Sequence, residues 1–573
     1  MASSLTADSI EVGREGANGL AAKPGPQGML AKVRAVRQLI PGWLCVYLCA
    51  VYIVLGLLVW WMPADDYDSM VYYLARIRLE RIGPLRETAT LEVEYLFPKF
   101  FDYLHTPLLD WGWFTTLPNF ALFSATVVAI VWWLPSRMAV RIVLGLAACS
   151  PVLLNITSAK NDVTVALLAF LGWLWIFYAN PKAAWYPAGG LLLAAMIVGT
   201  KWHGLLLAPL LLVLLGIEVV KARNFRPATW ALVLGSLPLA WFVSSADVYL
   251  QNRLIDGAFC PVPQCMHQEI DVRRNIVAFA SNSLLETLEV PFYVADTRLH
   301  GKLWQWLMRV TLGSKCWTYA IMPTTHICVY GVTILIVIAS AGIAACAPRT
   351  PWPVRAAALL SIVYCAAMLS RFYYCDLVNR YFLTTYIVGL VPCSYLAQFV
   401  PRTRALRWAF YAYLVFVSLQ SVLLNQEKRL LPFTRYVAFE DRFERLAPLY
   451  HNLFDREALQ FHLWEGHLFP YRVLRQFVRE EERLLIVNCH TNGVDGPFLY
   501  PFLEGRTGKN TRIVNLRFGQ TVPRDAAQQF DYMLVFKGRR GDADFVPLYE
   551  DPEVSIYQSI RLTALGGGVA SGG

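Results

Sequence analysis

Four short segments of this 573-residue chain place ionisable side chains where apolar runs begin or end. The first, ADDYDSMVYYLARIRLERIG, sets Asp65, Asp66 and Asp68 directly after an apolar run. It continues as an amphipathic helix with Met70, Leu74 and Ile77 on one face and Arg76, Arg78 and Arg81 elsewhere. Such a helix lies along a membrane surface, and a carboxylate held there can take a proton from a hydroxyl. Asp also caps helix starts, so these carboxylates have a structural explanation as well. The second segment, SAKNDVTVALLAF, brings Lys160 and Asp162 to the start of another apolar run, where an ion pair would serve equally. The third, VGTKWHGLLLAPLLL, holds Lys201 and His203 at a break between two runs, a place where a lysine often snorkels. The fourth, SRFYYCDLVNRYFLTTY, contains Arg371, Asp376, Asn379, Arg380 and Tyr381. Arg380 can clamp a phosphate there or bridge to Asp376.

The elements that must position these groups are apolar helices. The chain is 56% hydrophobic and only 16% charged, with a mean hydropathy of +0.42. Soluble domains carry about a quarter charged residues, so a soluble particle, disorder and a collagen-like chain are excluded. Twelve cysteines are too dilute for a disulfide scaffold. Apolar runs that are candidates to cross about 30 Å of hydrocarbon occur around 43–62, 111–136, 142–159, 163–181, 183–200, 204–220, 228–245, 326–346, 356–370, 381–400 and 408–425; Glu218 is the one Asp, Glu, Lys or Arg within them, and the shortest, 356–370, is the least secure. The runs are continuous rather than alternating, which requires helices. The expected fold is therefore an all-α polytopic membrane protein of about eleven transmembrane helices.

Charge sets its direction. The connectors 135–141, 181–186, 221–227, 347–355 and 401–407 carry Lys and Arg but no Asp or Glu, which marks their side as cytoplasmic. The N-terminal segment, with Lys32, Arg34 and Arg37, falls on the same side; residues 1–38 are expected to be a disordered tail without a signal peptide. A membrane module then spans 39–427, with long outer loops at 63–112 and 246–325. Residues 428–573 are expected to form an extracytoplasmic α/β domain, with strands in RLLIVNCH, TRIVNLRF and FDYMLVFKG. Carboxylates in the first and second outer loops, and cations in the third and fifth, then share one membrane surface. That inventory suits a lipid-phosphate donor and a hydroxyl acceptor.

The order of these segments resembles the GT-C superfamily of polyprenyl-phosphate-sugar-dependent glycosyltransferases, the group of aminoarabinose transferases and protein O-mannosyltransferases. Asp68-Ser-Met-Val-Tyr72-Tyr73 resembles the family's acidic motif after the first span, and looks closest to a bacterial subgroup with Asp-Ser-Met-x-Tyr there. KND at 160–162 resembles the second acidic motif, GTKWHG the family's Thr-Lys-Gly, NRYFL its Asn-Arg-Tyr, and EYLFPKFFDYL the segment before the second span. The resemblance covers about 40–425 and implies inverting transfer of a sugar from a polyprenyl phosphate. Asp68 would be the general base and Asp162 a second catalytic carboxylate. Lys99, Lys201, Arg380 and Tyr381 would bind the donor phosphate, and Asp66, Tyr72, Lys160 and His203 the substrates. Ser69 replaces a frequent acidic residue, which weakens a two-carboxylate metal site; no cofactor is called for, and a divalent metal stays open.

The implied partners are the lipid-linked donor, a glycan, lipid or protein acceptor, and the bilayer of a bacterial inner membrane, with the active site facing outward. Nothing points to nucleic acid, since inward basic connectors account for the net charge of +10. A transporter of a cell-envelope precursor is the alternative from another class, and a scaffold with an outward domain the third. Cys260 and Cys265 could pair in an oxidising compartment, with Cys316 and Cys489 as other outward thiols. A metal role for Cys265, His267 and Glu269 lacks regular spacing.

Overall fold

The computed structural model describes residues 26–61, 98, 100–110, 116–257, 271–289, 330–372, 374, 379–400, 403–423, 472, 474–479, 481–488, 510–516, 521–536, 544–550 and 554–565. Asp65, Asp66, Asp68, Tyr72, Lys99, Asp376, Cys260, Cys265, Cys316 and Cys489 lie outside them, so the expected base and the expected disulfide are not placed.

The first helix, α1 (Pro26–Leu39), is a correction: the tail expected to be disordered to residue 38 is helical from Pro26. Lys32 anchors it by donating to the carbonyl of Trp132, one of the orphan acceptors at a helix C-terminus. There follow α2 (Gly42–Trp61), α3 (Thr106–Asp110), α4 (Leu117–Trp133), α5 (Ser136–Ala147), α6 (Ser150–Asn155), α7 (Asp162–Tyr178) and α8 (Tyr186–Thr200). Next come α9 (Gly204–Ala222), α10 (Pro227–Val243), α11 (Ala246–Asp256), α12 (Val272–Glu289), α13 (Val332–Cys346), α14 (Trp352–Arg371), α15 (Leu383–Leu396) and α16 (Arg404–Leu423). Each of the eleven expected runs carries helix, and the chain is a multi-pass membrane protein of predominantly helical fold.

Length separates these helices. Among the described residues α2, α9 and α14 are long and apolar enough to cross a membrane, and α10 with α11, bent by 61° at their junction, counts as a fourth if the pair is one span. Helix α7 has 17 residues, about 25 Å at the helical rise and short of a hydrocarbon core of about 30 Å. The third expected run is not one helix: α5 and α6 divide it, and residues 156–161 continue as turns and bends. Charge-free length therefore overstates helical length where a run includes irregular backbone.

The core centres on α7, which buries residues on every face, including Leu167, Leu168, Phe170, Trp173 and Leu174. Small residues let its neighbours approach. A Cβ on Gly389 of α15 would overlap Val337, and one on Gly145 would press on Leu390. At the junction of α8 and α10, a Cβ on Gly199 would overlap the carbonyl oxygen of Val243.

The C-terminal residues form a five-stranded sheet of β1 (Leu484–Asn488), β2 (Thr511–Asn515), β3 (Tyr532–Phe536), β4 (Phe545–Glu550) and β5 (Val554–Ser559). Its order is β2-β1-β3-β5-β4, with the first three parallel and β5 and β4 antiparallel. The three strands read from the sequence are present. Two more were not read from it: β4 is mostly exposed, carries Pro547 and has its register broken beside it, while β5 is buried but mixes serine and glutamine among its apolar residues. Asp531, just before β3, ties the sheet to its neighbours: Arg483 donates to it in a bidentate pair at 3.2 and 3.0 Å, and Arg561 at 2.6 Å. Burial pushes the Asp531 carboxyl up, but these hydrogen bonds outweigh it and hold it below the usual carboxylate range.

Two outcomes follow from this packing. Gly199→Ala should destabilise the helical module by several kcal/mol, because backbone rather than a flexible side chain blocks the methyl; thermal unfolding in detergent would register it. Asp531 has a lowered folded pKa, so its stabilisation is present at neutral pH and is lost as the pH falls below about 4. Asp531→Asn should weaken the sheet by about 2 kcal/mol at pH 7 and by progressively less toward pH 3, measured by hydrogen exchange of β1 and β3.

Candidate functional site

Three breaks in helical structure meet at one point. Helix α7 starts at Asp162 after the turns of 156–161; α8 ends at Thr200, leaving Lys201 extended before α9; and a 3-10 turn, Arg380–Phe382, precedes α15. Helix starts and ends leave backbone donors and acceptors unpaired, so polar side chains gather where three such ends converge.

Asp162 is at the centre and fully buried. Lys201 Nζ donates to both its carboxylate oxygens at 2.9 Å. His203 Nε2 stands 3.5 Å from Oδ1, and Arg380 Nε 3.6 Å from Oδ2. The pairing expected between Lys160 and Asp162 does not form; Lys160 is buried, and Lys201 takes its place. The reason is geometric: α7 begins at Asp162, and the tertiary contact with the α8–α9 break replaces the local one. Tyr381 lies beneath both cations, with Lys201 Nζ 5.3 Å and the Arg380 guanidinium carbon 5.5 Å from its ring centroid. The structure thus joins Asp162, Lys201, His203, Arg380 and Tyr381.

Tyr364 on α14 was not singled out from the sequence, yet it completes the cluster. Its hydroxyl is 3.0 Å from His203 Nδ1 and 3.3 Å from the Tyr381 carbonyl. The single phenolic hydrogen goes to the Tyr381 carbonyl or to Nδ1; a neutral imidazole that keeps its own hydrogen on Nε2, so that no lone pair faces the Asp162 carboxylate, takes it on Nδ1. A search for charge-free runs passes over such a residue, because tyrosine belongs equally to an apolar helix.

A second set of buried polar groups holds the turn before Asp162. Asn119 on α4 donates to the carbonyls of Ser158 and Lys160 at 2.6 and 2.9 Å and accepts from Thr164 at 2.6 Å. Thr116 donates to the Thr157 carbonyl at 2.8 Å. Asn161, at the cap position of α7, spends its amide elsewhere, on Asp102 at 2.6 Å and on the Thr200 carbonyl at 3.4 Å. Phe100 N donates to the Gly199 carbonyl at 2.9 Å. The residues around Asp102 are in this way fixed to both the α7 start and the α8 end.

Around Asp162 two cationic heads and an imidazole outnumber the one carboxylate. Among the described residues no group of three His, Cys, Asp or Glu converges as metal ligands do. Lysine and arginine heads beside Asp162 would repel a divalent cation.

No family profile matches the chain. Over 143 residues it is 29% identical to an uncharacterized MFS-type transporter of Mycobacterium tuberculosis, a stretch that makes up 22% of this chain and 23% of the transporter. The chain thus matches about a quarter of that curated relative's length. In fold it is similar to ArnT from Cupriavidus metallidurans, both bound to undecaprenyl phosphate (TM-score 0.48, 13% identity) and in the apo state (TM-score 0.45, 11% identity). Each likeness covers 90% of this chain, with 98% and 97% of ArnT respectively. At these scores neither carries a functional argument, which has to come from the site.

Asp162→Asn should cost about 3–5 kcal/mol, because it strips the buried Lys201 ammonium of its counter-charge. Combining it with Lys201→Met should restore part of that loss. Thermal unfolding of the two variants beside the wild type, in detergent, checks both statements.

Proposed function

We propose that this chain is an inverting membrane glycosyltransferase that moves a sugar from a polyprenyl phosphate to a hydroxyl acceptor on the outer face of a bacterial inner membrane. The observation that carries the reading is the convergence of Lys201, Arg380 and His203 on Asp162 where helices break. Ionisable groups buried among apolar helices are costly and mark functional sites. This set offers cations and a ring donor to a phosphate ester.

In the proposed reaction Asp68 takes the proton of the acceptor hydroxyl, and that oxygen attacks the anomeric carbon opposite the phosphate. The bond from carbon to phosphate oxygen breaks, its electron pair leaves with the polyprenyl phosphate, and the configuration inverts. The leaving group is an anion and needs positive charge rather than a proton donor. Arg380, Lys201 and Lys99 supply it, with Tyr381 supporting the first two. The contact with Lys201 supports a task for Asp162 of holding the cations in place, in preference to holding the acceptor with Lys160. Asp66, Tyr72, Lys160 and His203 complete the substrate contacts in this proposal.

A second reading, a polytopic transporter of an envelope precursor, is favoured by the partial match to an MFS-type transporter. One assay separates the two: purified protein with radiolabelled polyprenyl-phosphate sugars and membrane extract. The wild type should transfer label, and Asp68→Asn should lose a factor of about 100 or more in kcat while remaining folded. Lys201→Ala should raise the donor KM about tenfold, near 1.4 kcal/mol. Unimpaired transfer by Asp68→Asn would remove that residue as the base. Solute movement in liposomes without any transfer would establish the transporter.

A further inference from the structure

We infer that Asn275, on the outer-loop helix α12, is a positioning residue that sets the place of Arg380. The helix start is fixed by Asp271, whose carboxylate accepts from the Arg274 amide at 3.1 Å. One turn later Asn275 is fully buried and bonds three backbone groups of the chain leaving α14. Its amide donates to the carbonyls of Leu369 and Phe372, both at 2.8 Å, and its carbonyl oxygen accepts from the Tyr374 amide at 3.0 Å. Leu369 belongs to the last turn of α14, whose carbonyls have no partner within the helix. Asn275 therefore caps α14 from another element and fixes where the chain turns away.

Tyr374 in turn reaches the residue before the cation. The Tyr374 hydroxyl donates to Asn379 Oδ1 at 3.3 Å, and Asn379 precedes Arg380. Beyond Arg380, Phe382 is held by the same helix: Phe279, one turn after Asn275, packs on the Phe382 ring at 4.5 Å between centroids and edge-on against Tyr374 at 5.8 Å. Helix α12 thus grips the polypeptide on both sides of Arg380. A guanidinium 3.6 Å from Asp162 is sensitive to small shifts of that backbone, and a displacement of about 1 Å costs roughly a hundredfold in a well-oriented site. For the phosphate-binding consequence, this inference rests on the glycosyltransferase reading; the mechanical part does not.

The test uses the full chain in nanodiscs, with hydrogen exchange of residues 379–383 and binding of farnesyl phosphate as readouts. Asn275→Ala should speed exchange there and weaken farnesyl phosphate about tenfold. Tyr374→Phe, which deletes one hydroxyl and threatens the fold less, should do the same to a smaller degree. Because Asn275 acts through Arg380, adding Asn275→Ala to Arg380→Gln should weaken binding no further. Unchanged exchange in Asn275→Ala, or an equal loss of binding in the Arg380→Gln background, would overturn the inference. If the wild type fails to bind the probe, the functional reading falls, and the exchange result still decides whether Asn275 holds this segment.

Discussion

A buried carboxylate is tolerated only with its charge matched, and the pairing of Asp162 with Lys201 is the constraint on which the rest of this site depends. Neither residue can reach the other unless the first turn of α7 abuts the gap between α8 and α9. Two glycines flanking that gap let the backbone around it pack closely. A Cβ on Gly199 would overlap the Val243 carbonyl, and one on Gly204 the Ile197 carbonyl. The single extended residue between α8 and its neighbour is Lys201 itself. Its side chain is delivered by interrupting helix, with no need for a long reach from a helix face.

Interrupting helices inside an apolar bundle exposes backbone groups that cannot find water, and each must be answered locally. Asn119, Thr116, Asn161 and Asn275 give those answers, and none of them is charged. Each bonds main-chain groups from an element distant in sequence. Neutral amides suit this task, since an asparagine offers two donors and an acceptor without the desolvation cost of an ion. The polar shell is therefore built in two layers, with ions at the centre and amides holding the backbone that carries them.

This division explains what the sequence made legible. Asp162, Lys201, His203 and Arg380 stood out because ionisable residues between apolar runs are conspicuous, and the structure joins all four. Their pairing was not legible: Lys160 is two residues from Asp162 and Lys201 thirty-nine, and sequence distance favours the wrong partner. Asn119 and Asn275 were invisible, because an asparagine near an apolar run has the composition of any loop residue. Among the elements, the apolar runs located helices well but misjudged their ends, as α5 and α6 show. The parallel strands of the C-terminal sheet were legible as short apolar runs, while the edge strand β4, with one exposed face and a proline, was not.

The short helices point the same way as the ions. Helices α7, α8 and α15 all stop or start at the cluster, and α7 and α8, with 17 and 15 residues, are too brief to cross about 30 Å unaided. Irregular backbone at membrane depth is stable only where protein buries it or where it borders a polar space. Residues 156–161, Lys201 and the Arg380–Phe382 turn meet that condition together, since each touches the same group of side chains. Had these helices run on unbroken, Lys201 and Arg380 would have had to reach Asp162 from helix faces; the shortened ends instead bring both cations to it from irregular backbone.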